Sequence, residues 1–343
     1  MKKLLLIALC AVFFACADLH GAEIPERSLP VPSDVSPELK KAIEADITMP
    51  WASRPANSEE WKELVSKFAA ANEAPISDML KTLEIKCEPS SIGGVPVFIL
   101  EPPVIPEKNR DKVLIYFHGG GYVFNPGKSG LGEGIYMAAI AKFRVIAVDY
   151  RMAPDFPFPA ALEDALKVYK EVLASYPARN IGVFGSSTGG AMTLALCLLA
   201  RQEKLPMPGA IAPGTPWSDL SKTGDSYFTN DHVDNILVSY DGLLESMAKL
   251  YANGHDLKEH LLSPVYGDMK GFPPALLVTG TRDIFLSNTV RAHRKLREAG
   301  VPADLLVIEG LSHWQYTLLP PDAPETLYYF NEAAKFFEKY LGK

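Results

Sequence analysis

Gly185-Ser186-Ser187-Thr188-Gly189 places a serine two residues from a glycine on either side. A nucleophilic serine needs this spacing when it rides a sharp strand-to-helix turn, because the apex backbone is strained and flanking glycines leave room for it. The plainer reading is a Gly/Ser-rich loop capping a helix; such a match arises by chance about 0.1 times per chain at average residue usage. His118-Gly119-Gly120-Gly121 is rarer, on the order of 0.002 per chain. Successive glycines let the main chain approach a ligand and aim N–H groups at developing negative charge. A phosphate cradle would need Lys and Ser/Thr in the P-loop register, and Tyr122-Val123-Phe124 follow instead. His118 reads as a loop-holding residue rather than a base.

A serine nucleophile needs a base, and the base needs an acid to orient it. On a strand–turn–helix scaffold of this kind the chain order is Ser, then Asp or Glu, then His. Asp283 follows the apolar run Ala275–Thr279 through Gly280-Thr281-Arg282, and His313 follows Leu305–Ile308 through Glu309-Gly310-Leu311-Ser312. Other histidines fit worse: His293 lies among Arg291, Arg294 and Lys295, His255 and His260 in a polar stretch, and His20 near the N-terminus. Asp149 reads as an anchor for Tyr150 and Arg151.

These residues must be positioned by alternating elements. Val95–Leu100, Val113–Phe117, Val145–Val148, Ile181–Phe184, Ala275–Thr279 and Leu305–Ile308 are short apolar runs rich in β-branched residues. Helical patterns at Leu131–Lys142, Ala160–Ala174, Gly189–Arg201, Asn288–Ala299 and Glu325–Tyr340 lie between and after them. The spacing predicts an α/β fold: a mainly parallel central sheet flanked by helices on both faces. Residues 217–262 interrupt the alternation and read as an insertion over the sheet's C-terminal edge. Ser58 is the expected N-cap of an earlier helix whose stripe is Trp61, Leu64, Val65 and Phe68.

Together these segments resemble the hormone-sensitive-lipase-like α/β-hydrolases (bacterial family IV esterases). The resemblance rests on His118–Gly121, Tyr150-Arg151-Met152-Ala153-Pro154-Asp155, Gly185–Gly190, Gly280–Asp283 and Gly310–His313, and covers roughly Leu83 to the C-terminus. It implies an α/β-hydrolase fold with a helical cap, no cofactor, and carboxylic ester hydrolysis by Ser187, Asp283 and His313. The oxyanion would be held by the N–H groups of Gly119, Gly120 and Thr188. The cap would comprise residues 38–82 and the insertion 217–262, with the catalytic domain spanning 83–343. Gly280–Pro324 is similar to monoterpene ε-lactone hydrolases, so a small hydrophobic ester or lactone is the expected substrate. Ser186 stands where the family has Asp, so an acidic contact from that position is expected to be lost; Trp314 stands where Gly is usual and should narrow the pocket. Tyr122, Phe124, Trp217 and Trp314 are the expected pocket residues, with Trp51, Tyr227 and Phe228 as further aromatic candidates. An amidase or peptidase would share the triad, but a peptidase should carry charged groups for chain termini. A ligand-binding relative usually lacks a triad member.

Composition narrows the partners. The chain has 343 residues, 48% hydrophobic and 22% charged, with a net charge of −7. Lys2 and Lys3, the apolar run Leu4–Ala15 and Ala15-Cys16-Ala17 read as an export signal over residues 1–17, too short for a membrane span. The rival reading is a lipoprotein signal with a lipid anchor at Cys16. Without the leader 32 basic residues face 41 acidic ones, and this acidity argues against nucleic acid. Residues 18–37, with Pro25, Pro30, Pro32 and Pro37, read as an extended tether. Seven histidines with no His-x-x-x-His or Cys-x-x-Cys pair predict no metal site. Cys87 and Cys197 read as buried free thiols; the oligomeric state is not legible. If Ser187 is the nucleophile, Ser187→Ala lowers hydrolysis of p-nitrophenyl acetate at least ~10⁴-fold with the fold intact, because triad members act as a unit. A residual rate within about tenfold of wild type would remove Ser187 from that role.

Overall fold

A computed structural model describes Glu26, residues 28–47 and residues 49–343. The leader, Cys16 and residues 18–25 lie outside the described residues. Eight strands form one sheet: β1 (Lys86–Ile92), β2 (Val95–Glu101), β3 (Val113–Phe117), β4 (Arg144–Val148), β5 (Ile181–Ser186), β6 (Ala210–Gly214), β7 (Ala275–Gly280) and β8 (Ala303–Ile308). Their order is β1-β2-β4-β3-β5-β6-β7-β8. β1 and β2 pair antiparallel, as do β2 and β4, and every later pairing is parallel.

The helices among the described residues are α1 (Pro37–Ile43), α2 (Ser58–Thr82), α3 (Gly132–Ala141), α4 (Ala160–Ser175), α5 (Thr188–Gln202), α6 (Ser226–Thr229), α7 (Glu245–Ala252), α8 (Leu286–Glu298) and α9 (Pro324–Tyr340). Side chains alternate across each strand, so β3 sends Val113, Ile115 and Phe117 into one core and Leu114 and Tyr116 into the other. The first core is closed by α4, α5 and α8, the second by α3 and α9. Every residue of β3 is buried, which is why it reads as an unbroken apolar run rather than an alternation. Two expectations shift. β6, Ala-Ile-Ala-Pro-Gly, was not expected as a strand, because it holds one β-branched residue and ends in turn-like Pro213-Gly214. The N-cap of α2 is Asn57, whose side chain accepts from Glu60 N at 3.0 Å, and Ser58 is already helical.

Residues 31–37 are packed rather than loose. The main-chain N–H and hydroxyl of Ser36 donate to Glu325 of α9 at 2.9 and 2.7 Å, and Pro32 and Val35 lie against Gly310. The segment before α2 also meets the 217–262 insertion: Leu243 N donates to Trp51 O at 2.8 Å, and Trp51 packs edge-on to His232. Cys87 is half-buried and Cys197 buried, both as free thiols. Among the described residues no helix is long and apolar enough to cross a membrane. No group of three His, Cys, Asp or Glu side chains there could hold a metal ion.

β5 carries the G-x-S-x-G turn, so its packing bears on the site. Gly182 lies on this strand where a Cβ would press into Leu114 and the Phe337 ring of α9. Gly182→Val should therefore cost about 1–3 kcal/mol by overpacking. The check is a lowered urea midpoint with unchanged slope; an unchanged midpoint would mean the core yields there without strain.

Candidate active site

The turn after β5 is built to force one residue outward. Ser187 sits between the last residue of β5 and the first of α5 with φ 60° and ψ −123°, a left-handed backbone that is costly for any residue with a Cβ. It is held there from several sides. Ser187 N donates to Gly214 O at 3.0 Å, and Ser187 O accepts from Ala191 N at 3.0 Å and Trp217 N at 2.9 Å. Gly185 and Gly189 both face the Phe117 carbonyl so closely that a Cβ on either would collide with it. The end of β3 thus requires both glycines of the motif.

Asp283 and His313 arrive from the ends of β7 and β8. His313 Nδ1 lies 3.1 Å from Asp283 Oδ1, and both side chains are buried. Asp283 Oδ1 also accepts from Phe285 N at 2.7 Å, while Oδ2 takes the hydroxyls of Thr279, at 2.8 Å, and of Thr215. With Nδ1 facing the carboxylate, Nε2 is the nitrogen left for proton transfer, and it is buried with no partner. Ser187 and His313 line the same cavity.

The glycine loop closes the third side. A Cβ at Gly119 would sit 3.1 Å from Ser187 Cβ, so this main chain passes directly against the serine side chain. No acceptor among the described residues takes the N–H groups of Gly119, Gly120 or Thr188. His118 Nδ1 is 2.8 Å from Gly119 O, and its ring stacks on Tyr150 at 4.2 Å. Tyr150 donates to His118 O at 2.7 Å, and Asn125 Nδ2 to Gly119 O at 3.1 Å. Burial pushes the His118 pKa down, which keeps the ring neutral, with Nδ1 as donor to the carbonyl. Asp149 does not anchor Arg151; it accepts from Gly127 N at 2.8 Å, while Asp164 grips the Arg151 guanidinium at 2.8 and 2.9 Å.

These groups border a cavity of about 450 Å³. Phe124, Trp217 and Trp314 line it, joined by Phe68, Ile76 and Met79 of α2 and by Leu237, Leu244 and Met247 of the insertion. Tyr122 does not. Its positive φ turns the ring away from the cavity into a stack on Tyr251 at 3.7 Å. Tyr227 is buried against Phe285 and Tyr240, Phe228 is exposed beneath Lys222, and Trp51 lies against His232, so none of these three lines the cavity either.

Residues 114–317 match a family described as having the alpha/beta hydrolase fold. The chain belongs to the hormone-sensitive-lipase-like α/β-hydrolases. It is 41% identical to an esterase of known crystal structure, with a TM-score of 0.91 over 94% of this chain and 99% of that one. An esterase from the bacterial hormone-sensitive lipase family superposes with a TM-score of 0.71 at 29% identity, covering 84% of this chain and all of that one (100%). An acetyl-hydrolase of Streptomyces hygroscopicus is 30% identical over 221 residues, 63% of this chain and 73% of its own. Esterase activity is what this family membership supports.

Several residues that shape this hydrolase's site were not singled out in the sequence. Thr215, one residue past β6, reaches both Asp283 and His313 Nδ1, the latter at 3.0 Å. Asn230 of the insertion donates to the carbonyl oxygens of Asp283 and Thr281 at 2.8 and 3.2 Å. Asp234 does most. Its Oδ2 accepts from Ile284 N at 2.9 Å and His313 N at 3.1 Å, and its Oδ1 from Ile236 N at 2.9 Å and Leu237 N at 3.0 Å. One buried carboxyl from the insertion therefore ties the main chain beside Asp283 to that of His313. Burial, and then the neighbouring Asp283 carboxylate, push its pKa up, while the donors around it pull the other way. The only legible signal was the Asp/Asn-rich composition of residues 230–235. Asp234→Asn must turn an NH₂ toward one of the two N–H pairs. We expect kcat to fall about 10–100-fold with KM nearly unchanged, the scale of a small misplacement of reacting groups. A kcat equal to wild type would show that the loops hold their register without it.

Proposed function

We propose that this hydrolase cleaves short-to-medium acyl esters and lactones by a two-step acyl-enzyme route. Ser187 attacks the carbonyl carbon while His313 Nε2 takes its proton. Asp283 holds the imidazole with Nδ1–H toward the carboxylate and stabilises its charged form. The N–H groups of Gly119, Gly120 and Thr188 receive the oxyanion, and loss of one such donor typically costs about 10²–10³ in rate. The alcohol leaves with the proton from His313, which then activates water against the acyl-enzyme. The observation that carries this reading is the unpartnered His313 Nε2 on the cavity that Ser187 and the open glycine-loop amides also border.

The size class follows from the walls. The cavity lies toward the small end of ligand sites, which span roughly 300–1,000 Å³, and its acyl-facing surface is aromatic and aliphatic. Each methylene buried there contributes about 0.8 kcal/mol until the space is filled. Export through residues 1–17, or anchoring through Cys16, belongs to the same proposal and rests on the residue pattern of that segment.

For p-nitrophenyl esters, kcat/KM should rise from acetyl to butyryl or hexanoyl and collapse by palmitoyl, with soluble and micellar substrates measured apart. A rate still climbing at sixteen carbons, or activation at an oil–water interface, would contradict a pocket of this size.

A further inference from the structure

Behind the strand-to-helix turn that bears Ser187 (the elbow) lies a polar cluster that the reaction does not use. Glu133, in the first turn of α3, is fully buried, and no basic side chain contacts its carboxyl. Ser186 Oγ donates to Glu133 Oε1 at 2.7 Å and lies 2.6 Å from the Tyr316 hydroxyl. Gly214 makes room for that meeting, since a Cβ there would collide with both hydroxyls. Glu133 Oε2, the Trp314 indole N–H and the Tyr329 hydroxyl are buried in the same region without a full hydrogen-bond partner. The indole, the Ser186 hydroxyl and the Ser186 main chain nonetheless favour the ionised carboxyl, and Tyr116 and Tyr329 also face it. The acidic contact expected to be lost with Ser186 is thus supplied from elsewhere: the hydroxyl is on residue 186 and the carboxyl on α3.

Ser186 immediately precedes the nucleophile, and Trp314 immediately follows the base. α3 follows the glycine loop and packs on α9 and on the turn Gln315–Thr317. We propose that Glu133 is a positioning residue of this hydrolase, its buried carboxyl fixing the residue before Ser187 and, through Tyr316 and Trp314, the segment after His313. The proposal rests on Ser187 and His313 carrying the reaction.

Desolvation pushes the Glu133 pKa up to about 8 from 4.5, against the smaller pull of Ser186 and Trp314. At neutral pH the carboxyl is therefore largely protonated. Ionisation above that places an unpaired charge beneath the elbow, where an oxyanion must form. For stability the sign is that of a raised group: the contribution is fully present below pH 4.5 and is lost as pH rises to about 8. A glutamine keeps the shape and does not titrate.

The test compares wild type, Glu133→Gln and Glu133→Ala over about pH 6 to 10. It reads kcat and KM on p-nitrophenyl butyrate and the rate of Ser187 labelling by a fluorophosphonate, which needs an aligned nucleophile and base but no particular substrate. Wild-type kcat should decline along an alkaline limb near pH 8 that Glu133→Gln lacks, with KM unchanged. At about pH 7 the Gln variant should keep kcat and labelling within threefold of wild type, and the Ala variant should lose at least tenfold in both. The melting temperature of Glu133→Gln should gain on wild type as pH rises from about 5 to 8. An alkaline limb retained in the Gln variant, or an Ala variant as reactive as wild type, would overturn the proposal. If wild type labels at Ser187 but does not turn over esters, the ester reading fails alone and the labelling rates still decide Glu133.

Discussion

Ser187 keeps its left-handed backbone because three strand ends leave it nowhere else to go. A non-glycine residue in such a region costs on the order of 1–3 kcal/mol and persists only where surroundings over-determine it. Here the Phe117 carbonyl at the end of β3 blocks any side chain at Gly185 and Gly189. The Gly214 carbonyl at the end of β6 holds the serine amide, and the Trp217 amide holds its carbonyl. The order β3-β5-β6 in the sheet is what sets these groups on either side of one turn. The glycine loop then passes against the serine because it continues from β3 itself.

Buried carboxyls are the second organising theme, and each is handled differently. Asp283 is surrounded by two threonine hydroxyls, a main-chain N–H and the imidazole. Asp234 meets four main-chain N–H groups. Glu133 has the Ser186 hydroxyl and main chain and the Trp314 indole but no cation, and burial outweighs them, so it remains protonated into the neutral range. Removing a carboxylate from water without such partners costs several kcal/mol. The insertion that walls the cavity also supplies Asn230 and Asp234 to the loops bearing Asp283 and His313. The cavity wall and the placement of these two side chains are therefore linked in this hydrolase.

Much of the local geometry around Ser187 was readable because its motifs are contiguous. Gly185–Gly189 and His118–Gly121 are contiguous, their glycines required by backbone geometry within a few residues, and the apolar runs that support them are buried on both faces and keep an unmistakable composition. Where the reading erred, a distant neighbour decided the outcome. Ala210–Gly214 is a strand because Gly182–Ser186 and β7 flank it, although its own residues favour a turn. Tyr122 looked like a pocket wall by adjacency to the glycines, but its φ of 61° sends the ring to Tyr251, more than a hundred residues away in the chain.

The sequence by itself determined the alternating α/β architecture, the G-x-S-x-G turn, the glycine loop and the chain order of Ser187, Asp283 and His313, since each depends on period, spacing and the steric needs of glycine. The tertiary structure alone decided which polar side chains serve them. Thr215, Asp234 and Glu133 carry no motif, because a hydrogen-bond partner is chosen by proximity after folding, and nothing in the neighbouring residues encodes it. The same holds for the cavity: Phe68, Ile76 and Met79 lie on α2, far from the motifs in the chain, and became pocket walls only when that helix packed on α3 and the turn Gly127–Gly130.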